Sequence, residues 1–229
     1  MIRAISVSVS AIAVLAFSGP AVAQGVGSYY AGGAFMLSWQ DAGTPAASAS
    51  HEKPGVGGSA VGINGTVGAI LSPRVSIAAE ISEPARFESV QELQYSFSQK
   101  IDNRHRDLIV SVLAHLHELH PGMLRPELVV GASYVHEDTL RRTAQQIGPP
   151  FPPTGVYGPY GPEGQITHDS LGVTGGADLG VRVSAHVSIV PQVRLHWIFR
   201  ASPSGGNSSA HMALGPLAIR PAIGLRATF

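Results

Sequence analysis

Between Leu217 and Phe229 the chain alternates without a break. Leu217, Ile219, Pro221, Ile223, Leu225, Ala227 and Phe229 fall on one face, and Ala218, Arg220, Ala222, Gly224, Arg226 and Thr228 on the other. A period of two marks an extended strand whose faces meet different surroundings. The same pattern opposes Val187, Ile189, Val193, Leu195, Trp197 and Phe199 to Ser188, Gln192, Arg194, His196 and Arg200. It also opposes Leu171, Val173, Ala177, Leu179, Val181 and Val183 to Gly172, Thr174, Gly176, Asp178, Gly180 and Arg182. Five further segments repeat it less sharply: Tyr29 to Trp39, Ser59 to Leu71, Val75 to Ser82, Leu108 to Glu118 and Glu127 to Glu137. The total is eight alternating segments.

Short links at Ser72-Pro73, Leu119 to Arg125 and Ser184 to His186 separate some segments, and long links near 40 to 58, 83 to 107, 138 to 168 and 201 to 215 separate the others. Short and long links in turn are the rhythm of a transmembrane barrel with periplasmic turns and extracellular loops. Most segments reach the ~9–11 residues that cross a bilayer at a tilt, whereas soluble strands average nearer 5–6. The third is short and is expected to continue past Pro84. A soluble eight-stranded barrel with its apolar face inward is the structural competitor, and charge separates the two. Asp, Glu, Lys and Arg make up 13% of the 229 residues, and Lys occurs only at Lys53 and Lys100. Average soluble domains carry about 25% charged residues, so a polar exterior is not available here. Gly172, Gly176 and Gly180 instead suit the inside of a narrow barrel. Tyr29 and Phe229 at one end, and Trp39, Tyr134, Trp197 and Phe199 at the other, are placed to form interfacial belts. Pro191 and Pro221 fall within strands of a ring that has no free edge, so a bulge or a break in pairing is expected at each.

Lys+Arg and Asp+Glu are 15 each, without the concentrated basic face that nucleic acid selects. The chain has no Cys, which excludes disulfide frameworks and thiolate chemistry. Residues 1–23 read as a secretory signal: Arg3, an apolar stretch from Ile5 to Phe17, and Ala21-Val22-Ala23 before Gln24. The expected organisation is therefore a signal peptide at 1–23 and, over 24–229, an all-β, eight-stranded, antiparallel, up-and-down transmembrane β-barrel.

The ending Ile223-Gly224-Leu225-Arg226-Ala227-Thr228-Phe229, together with this architecture, resembles the small eight-stranded outer membrane barrels of the OmpA/OmpX-like group. The resemblance implies location in the outer membrane of a diderm bacterium, surrounded by outer membrane lipids including lipopolysaccharide. It also implies that Ile223, Leu225 and Phe229 form a C-terminal signal recognised by the barrel assembly machinery.

Six inward charges, Glu80, Asp178, Arg182, Arg194, Arg220 and Arg226, form a candidate constellation. Side chains just fill the interior of an eight-stranded barrel, so such ions must pair there or hold trapped water. They make either a polar plug or a gated path for ions. The chain has ten His, and His115 and His117 share one strand face beside Glu127 on the next. His196 belongs nearer the opposite end, so no broad metal site is expected, and the histidines read as hydrogen-bonded interior groups. His186-Val187-Ser188 resembles the His-x-Ser of outer membrane lipid A deacylases, but it falls at a short, periplasmic turn with no carboxylate placed to orient the His. The long link from 138 to 168 carries Gly148-Pro149-Pro150-Phe151-Pro152-Pro153 and Tyr157-Gly158-Pro159-Tyr160-Gly161-Pro162. Such a run suits polyproline-like extension rather than a helix or strand ladder, and serves as a contact surface or as disordered chain. The expected role is a non-enzymatic, monomeric barrel with a structural or surface-interaction function and no cofactor or metal. A lipid A-modifying hydrolase and a narrow porin for small solutes are the alternatives, and a convergent pocket at the extracellular mouth would point to binding.

Overall fold

The computed structural model describes residues 27–42, 58–94, 98–117, 123–147, 156–199 and 214–229. The expected signal segment at 1–23 and the Gly148 to Pro153 run lie outside them. Among the described residues nine strands follow in chain order: β1 (Tyr29–Ala42), β2 (Gly58–Ser72), β3 (Val75–Pro84), β4 (Phe87–Gln94), β5 (Ser98–His117), β6 (Leu124–Gln145), β7 (Gly164–Arg182), β8 (Val187–Phe199) and β9 (Leu214–Thr228). Their order in the sheet is β3-β2-β1-β9-β8-β7-β6-β5-β4, and β3 also pairs with β5, which closes the ring. Every pairing is antiparallel.

Nine strands make eight staves because β3 and β4 share one position against β5. The β3 ladder reaches Ser82 opposite Ile109, and the β4 ladder begins at Phe87 opposite His105. Between these points the first chain takes one more residue than β5 does, which is the count of a β-bulge. Pro84 lies in that step and has no N–H to give, while the Ala85 N–H turns to the Val61 carbonyl at 2.6 Å. The third segment thus continues past Pro84, as its short length required.

Pro191 and Pro221 interrupt pairing without shifting register. The β7–β8 ladder runs to Asp178–Gln192 and resumes at Val181–Ile189; the β1–β9 ladder runs to Met36–Ala222 and resumes at Trp39–Ile219. Each proline keeps its place in the β8–β9 ladder, Pro191 opposite Ile223 and Pro221 opposite Val193. The missing N–H of each therefore affects only one neighbour.

The links expected at 83 to 107 and 138 to 168 are largely strand. β5, β6 and β7 have 20, 22 and 19 residues, about twice what a bilayer crossing needs. Hydropathy alternation fades above Leu108, Tyr134 and Leu171 because both faces become polar there, although the backbone ladder continues. In the stretch read as unable to join a ladder, the two glycines supply the donors that the prolines lack: the Gly158 N–H reaches the Gln145 carbonyl at 2.8 Å and the Gly161 N–H the Thr143 carbonyl at 2.9 Å. Tyr157 bridges to Gln146, and Lys100 and Arg142 lie over the rings of Tyr157 and Tyr160 at 5.8 and 5.7 Å.

The facing follows the alternation. Phe35, Val61, Val112, Leu128, Leu171, Ile223 and Leu225 are exposed on the outer wall, and their neighbours Met36, Ala60, Ser111, Leu113, Val129, Ser133 and Thr174 are buried in the lumen. Trp39, Tyr134, Trp197 and Phe199 ring the outer end of this apolar band, with Tyr29 and Phe229 at the other. Just above the upper ring the outward face turns polar: the Tyr134 hydroxyl donates to Asp169 Oδ1 at 2.6 Å, and His136 Nδ1 lies 2.7 Å from the same oxygen. Arg142 meets Asp102 at 3.2 Å and Glu163 at 3.5 Å, and Arg106 pairs with Glu83.

That boundary fixes a depth scale along β7. Val173→Arg, within the band, is expected to cost ~2–4 kcal/mol of folding free energy in lipid vesicles, and Thr167→Arg on the same face above it ~0–1 kcal/mol. Equal costs in denaturant titrations would reject the assigned band.

Candidate functional site

Side chains fill the lumen in layers, and three arginines reach across it. Arg194 on β8 spans to β3, where its Nε and Nη2 donate to Glu80 Oε2 at 3.1 and 2.9 Å. It also binds Asp178 on the adjacent β7, through Nη1 to Oδ1 and through Nη2 to Oδ2 at 3.2 Å. Arg226 on β9 grips both oxygens of Glu127 on β6 at 2.8 and 2.9 Å, and its Nη2 meets Asp178 Oδ2 at 2.8 Å. Asp178 therefore joins the two guanidinium groups into one cluster. Its fringe is aromatic: Arg226 lies over the Tyr30 ring at 5.0 Å, and Tyr30 meets His115 edge to face.

His115 and His117 complete the cluster toward the periplasmic end. His115 Nδ1 lies 3.1 Å from Glu127 Oε2 and 3.5 Å from Asp178 Oδ2; His117 Nδ1 lies 3.3 Å from Glu127 Oε1, and its Nε2 2.9 Å from Ser76 Oγ. One nitrogen of His115 and one oxygen each of Glu127 and Asp178 lie within 4.8 Å of one another, a spacing compatible with a cation. The cation placed there is the guanidinium of Arg226, which engages both carboxylates. A metal ion would have to displace it, so the residues form an ion-pair cluster rather than an open coordination site.

Nearer the extracellular end Arg220 makes a separate crossing. Its Nη2 donates to Asp107 Oδ2 on β5, and its Nη1 to Ser82 Oγ on β3, each at 2.5 Å. A row of hydroxyls lies across the wall at a similar depth: Ser111 Oγ is 2.8 Å from Ser133 Oγ, Ser133 also contacts Thr174, and Thr174 Oγ1 is 2.8 Å from His196 Nδ1. Above both, His105 Nδ1 lies 3.0 Å from Thr139 Oγ1.

Of the six charges singled out in the sequence, Glu80, Asp178, Arg194 and Arg226 converge in one cluster, and Arg220 belongs to the second crossing. Arg182 does not join them. It has the correct phase on β7 but sits at the strand's exposed periplasmic end, where its N–H donates to the Met123 carbonyl at 2.9 Å. Asp107 was missed because it fell in an expected link. Its signal was nonetheless present, since Asp107, Ser111 and His115 are in phase. Glu127 was considered only as a partner for histidine, and its larger role is to hold Arg226.

Room for these long side chains comes from small inward neighbours. A Cβ at Gly176 would collide with the Val193 carbonyl oxygen and crowd Arg194, meeting its Cδ at 3.2 Å and its Nη1 at 3.3 Å. At Gly68 it would run into the Tyr30 ring. Gly175, facing outward, has nothing within 4 Å of the same position.

No family model matches the chain, and no curated protein does. Similarity lies in solved structures. The outer membrane protein OprG of Pseudomonas aeruginosa aligns with a TM-score of 0.58 at 14% identity, covering 91% of this chain and 99% of that one. A major outer membrane protein of Thermus thermophilus aligns at 0.52 and 10% identity, covering 87% and 99%. The chain folds as an eight-stranded outer membrane β-barrel. At these identities the likeness establishes the fold and leaves the interior to be read from this chain's own residues.

The tight fit beside Arg194 is directly testable. Gly176→Ala is expected to destabilise the barrel by ~1–3 kcal/mol through overpacking, while Gly175→Ala stays within about 0.5 kcal/mol of the parent. Urea titrations of both variants in lipid vesicles measure the difference.

Proposed function

We propose that this protein is a non-enzymatic, monomeric barrel of the outer membrane whose lumen is plugged by its own charges, and whose role is structural or surface interaction. The observation that carries the reading is the set of cross-lumen arginines. Arg194, Arg220 and Arg226 each extend from one wall to a carboxylate on a distant strand and occupy the space through which a solute would pass. A hydrated path for ions would require those pairs to part, and separating a buried pair leaves uncompensated charge on both sides.

The hydrolase alternative is disfavoured by position. Ser188 is the second residue of β8, opposite Arg182 and Arg226 and at the far end of the barrel from the Trp39 and Trp197 belt. His186 Nδ1 lies 3.1 Å from the Thr228 carbonyl oxygen. A lipid in the outer leaflet is a membrane thickness away. The surface role is supported by the ladder β4-β5-β6-β7, which continues beyond the band in strands of 20 and 22 residues with ion pairs on its outer face. Lipopolysaccharide is the surrounding lipid at that level. Ile223, Leu225 and Phe229 face outward on the last strand, in reach of the barrel assembly machinery during insertion. Once folded, Phe229 and Tyr29 exchange backbone hydrogen bonds at 2.9 and 3.0 Å.

Planar-bilayer recording separates the plug from the porin alternative. The folded protein is expected to give no large steady conductance, because side chains occupy the lumen. Stable open channels would overturn the plug.

A further inference from the structure

We propose that Tyr157-Gly158-Pro159-Tyr160-Gly161-Pro162 is a docking surface for a partner protein whose binding groove is lined by tyrosine and tryptophan. The proposal rests on the surface-interaction role and names the face and the partner chemistry. The run is two copies of Tyr-Gly-Pro, a period of three. An extended chain with three residues per turn sets each residue type on its own side. The structure has that division. Both glycines turn to β6, their N–H groups bonded to the Gln145 and Thr143 carbonyls. Both tyrosines lie beneath cations, Tyr157 under Lys100 and Tyr160 under Arg142. Both prolines are left exposed.

The run is held in place before any partner arrives. Tyr157 bridges to Gln146, and Glu163, just past the second proline, meets Arg142 at 3.5 Å. A segment already fixed in its bound shape loses less entropy on docking. It also stands clear of the membrane. Thr143 and Gln146, which it faces, follow Tyr134 by nine and twelve residues on β6. At ~3.3 Å per residue the run lies ~30–40 Å along the strand from the outer aromatic belt, beyond the lipid headgroup layer even on a tilted strand. Ile147 and Val156 are 58% and 57% exposed there, and Tyr160 39%. Exposed apolar groups gathered away from lipid mark an interaction site.

The backbone selects the partner. Pro159 and Pro162 have no N–H, and Gly158 and Gly161 spend theirs on β6, so a regular ladder cannot be laid against this edge. Strand addition by a partner is thereby disfavoured. Each proline keeps a carbonyl, which accepts. A matching groove must bring donors and flat apolar surfaces together, and Tyr and Trp side chains supply both. Pro159-Tyr160-Gly161-Pro162 has the Pro-x-x-Pro spacing that such aromatic grooves accept.

The test is fluorescence anisotropy of labelled, purified SH3 and WW domains titrated with the protein folded in detergent micelles. At least one domain is expected to bind, and Pro159→Ala combined with Pro162→Ala to weaken that binding about tenfold or more. The urea midpoint of the double variant should match the parent's, because neither proline gives a ladder hydrogen bond. Absence of binding across the panel overturns the proposal. So does binding that the double variant leaves unchanged, as it would if Pro149-Pro150-Phe151-Pro152-Pro153 were the ligand. Self-association of the double variant with no loss of domain binding, the result of prolines that only blunt a strand edge, overturns it too. A membrane-impermeant maleimide distinguishes this outcome from failure of the surface role itself. The chain has no Cys, so Val156→Cys provides a single thiol, which is expected to be labelled on intact cells. No labelling would sink the surface role together with the docking site, whereas labelling without domain binding would sink the docking site alone.

Discussion

A guanidinium enclosed by a β-barrel without bulk water around it needs a counter-charge close at hand. Arg194 meets this constraint by crossing the lumen to Glu80 and holding Asp178 beside it, and much of the interior follows from that choice. Asp178, once recruited, is shared with Arg226, which brings in Glu127 and with it His115 and His117. Gly176 must stay without a side chain for Arg194 to pass. Isolated buried ion pairs often contribute little net stability, but removing one partner costs several kcal/mol. A linked cluster makes that penalty common to strands on opposite sides of the ring. Register is then fixed twice, once by the ladders and once across the lumen.

The exterior obeys a different solvent. Where the wall meets lipid, it is apolar and ringed by aromatics. Where the β5, β6 and β7 strands rise past Tyr134 and Leu171, Asp169, His136, Arg142 and Asp102 replace the aliphatic residues without interrupting a single ladder. One set of strands thus serves as membrane wall below and as an exposed sheet above. Only the outward side chains differ.

This division explains what was legible in the sequence. Period-two alternation is strong where one face meets lipid and the other a crowded polar lumen, so the eight staves and their facing could be read residue by residue from Leu217 to Phe229 and from Val187 to Phe199. Above the membrane both faces are polar, the contrast disappears, and β4 and the upper parts of β5, β6 and β7 read as links. Asp107 was lost with them. At Pro191 and Pro221 a bulge or a break in pairing was legible, because the missing N–H is a covalent property and independent of context, and the structure has the break. Which carboxylate each arginine would find was not legible. Phase gives the face of a strand, but partners across a lumen depend on the stagger of all eight staves.

If the Arg194–Glu80 pair holds the interior together, its two ends must be energetically coupled. A double-mutant cycle with Arg194→Met, Glu80→Gln and the double variant, followed by urea unfolding in lipid vesicles, measures that coupling. The account expects an interaction energy of about 2 kcal/mol or more, with the double variant more stable than the sum of the single losses implies. Additive effects within ~0.5 kcal/mol would contradict it, and would mean that the two side chains share the lumen without depending on each other.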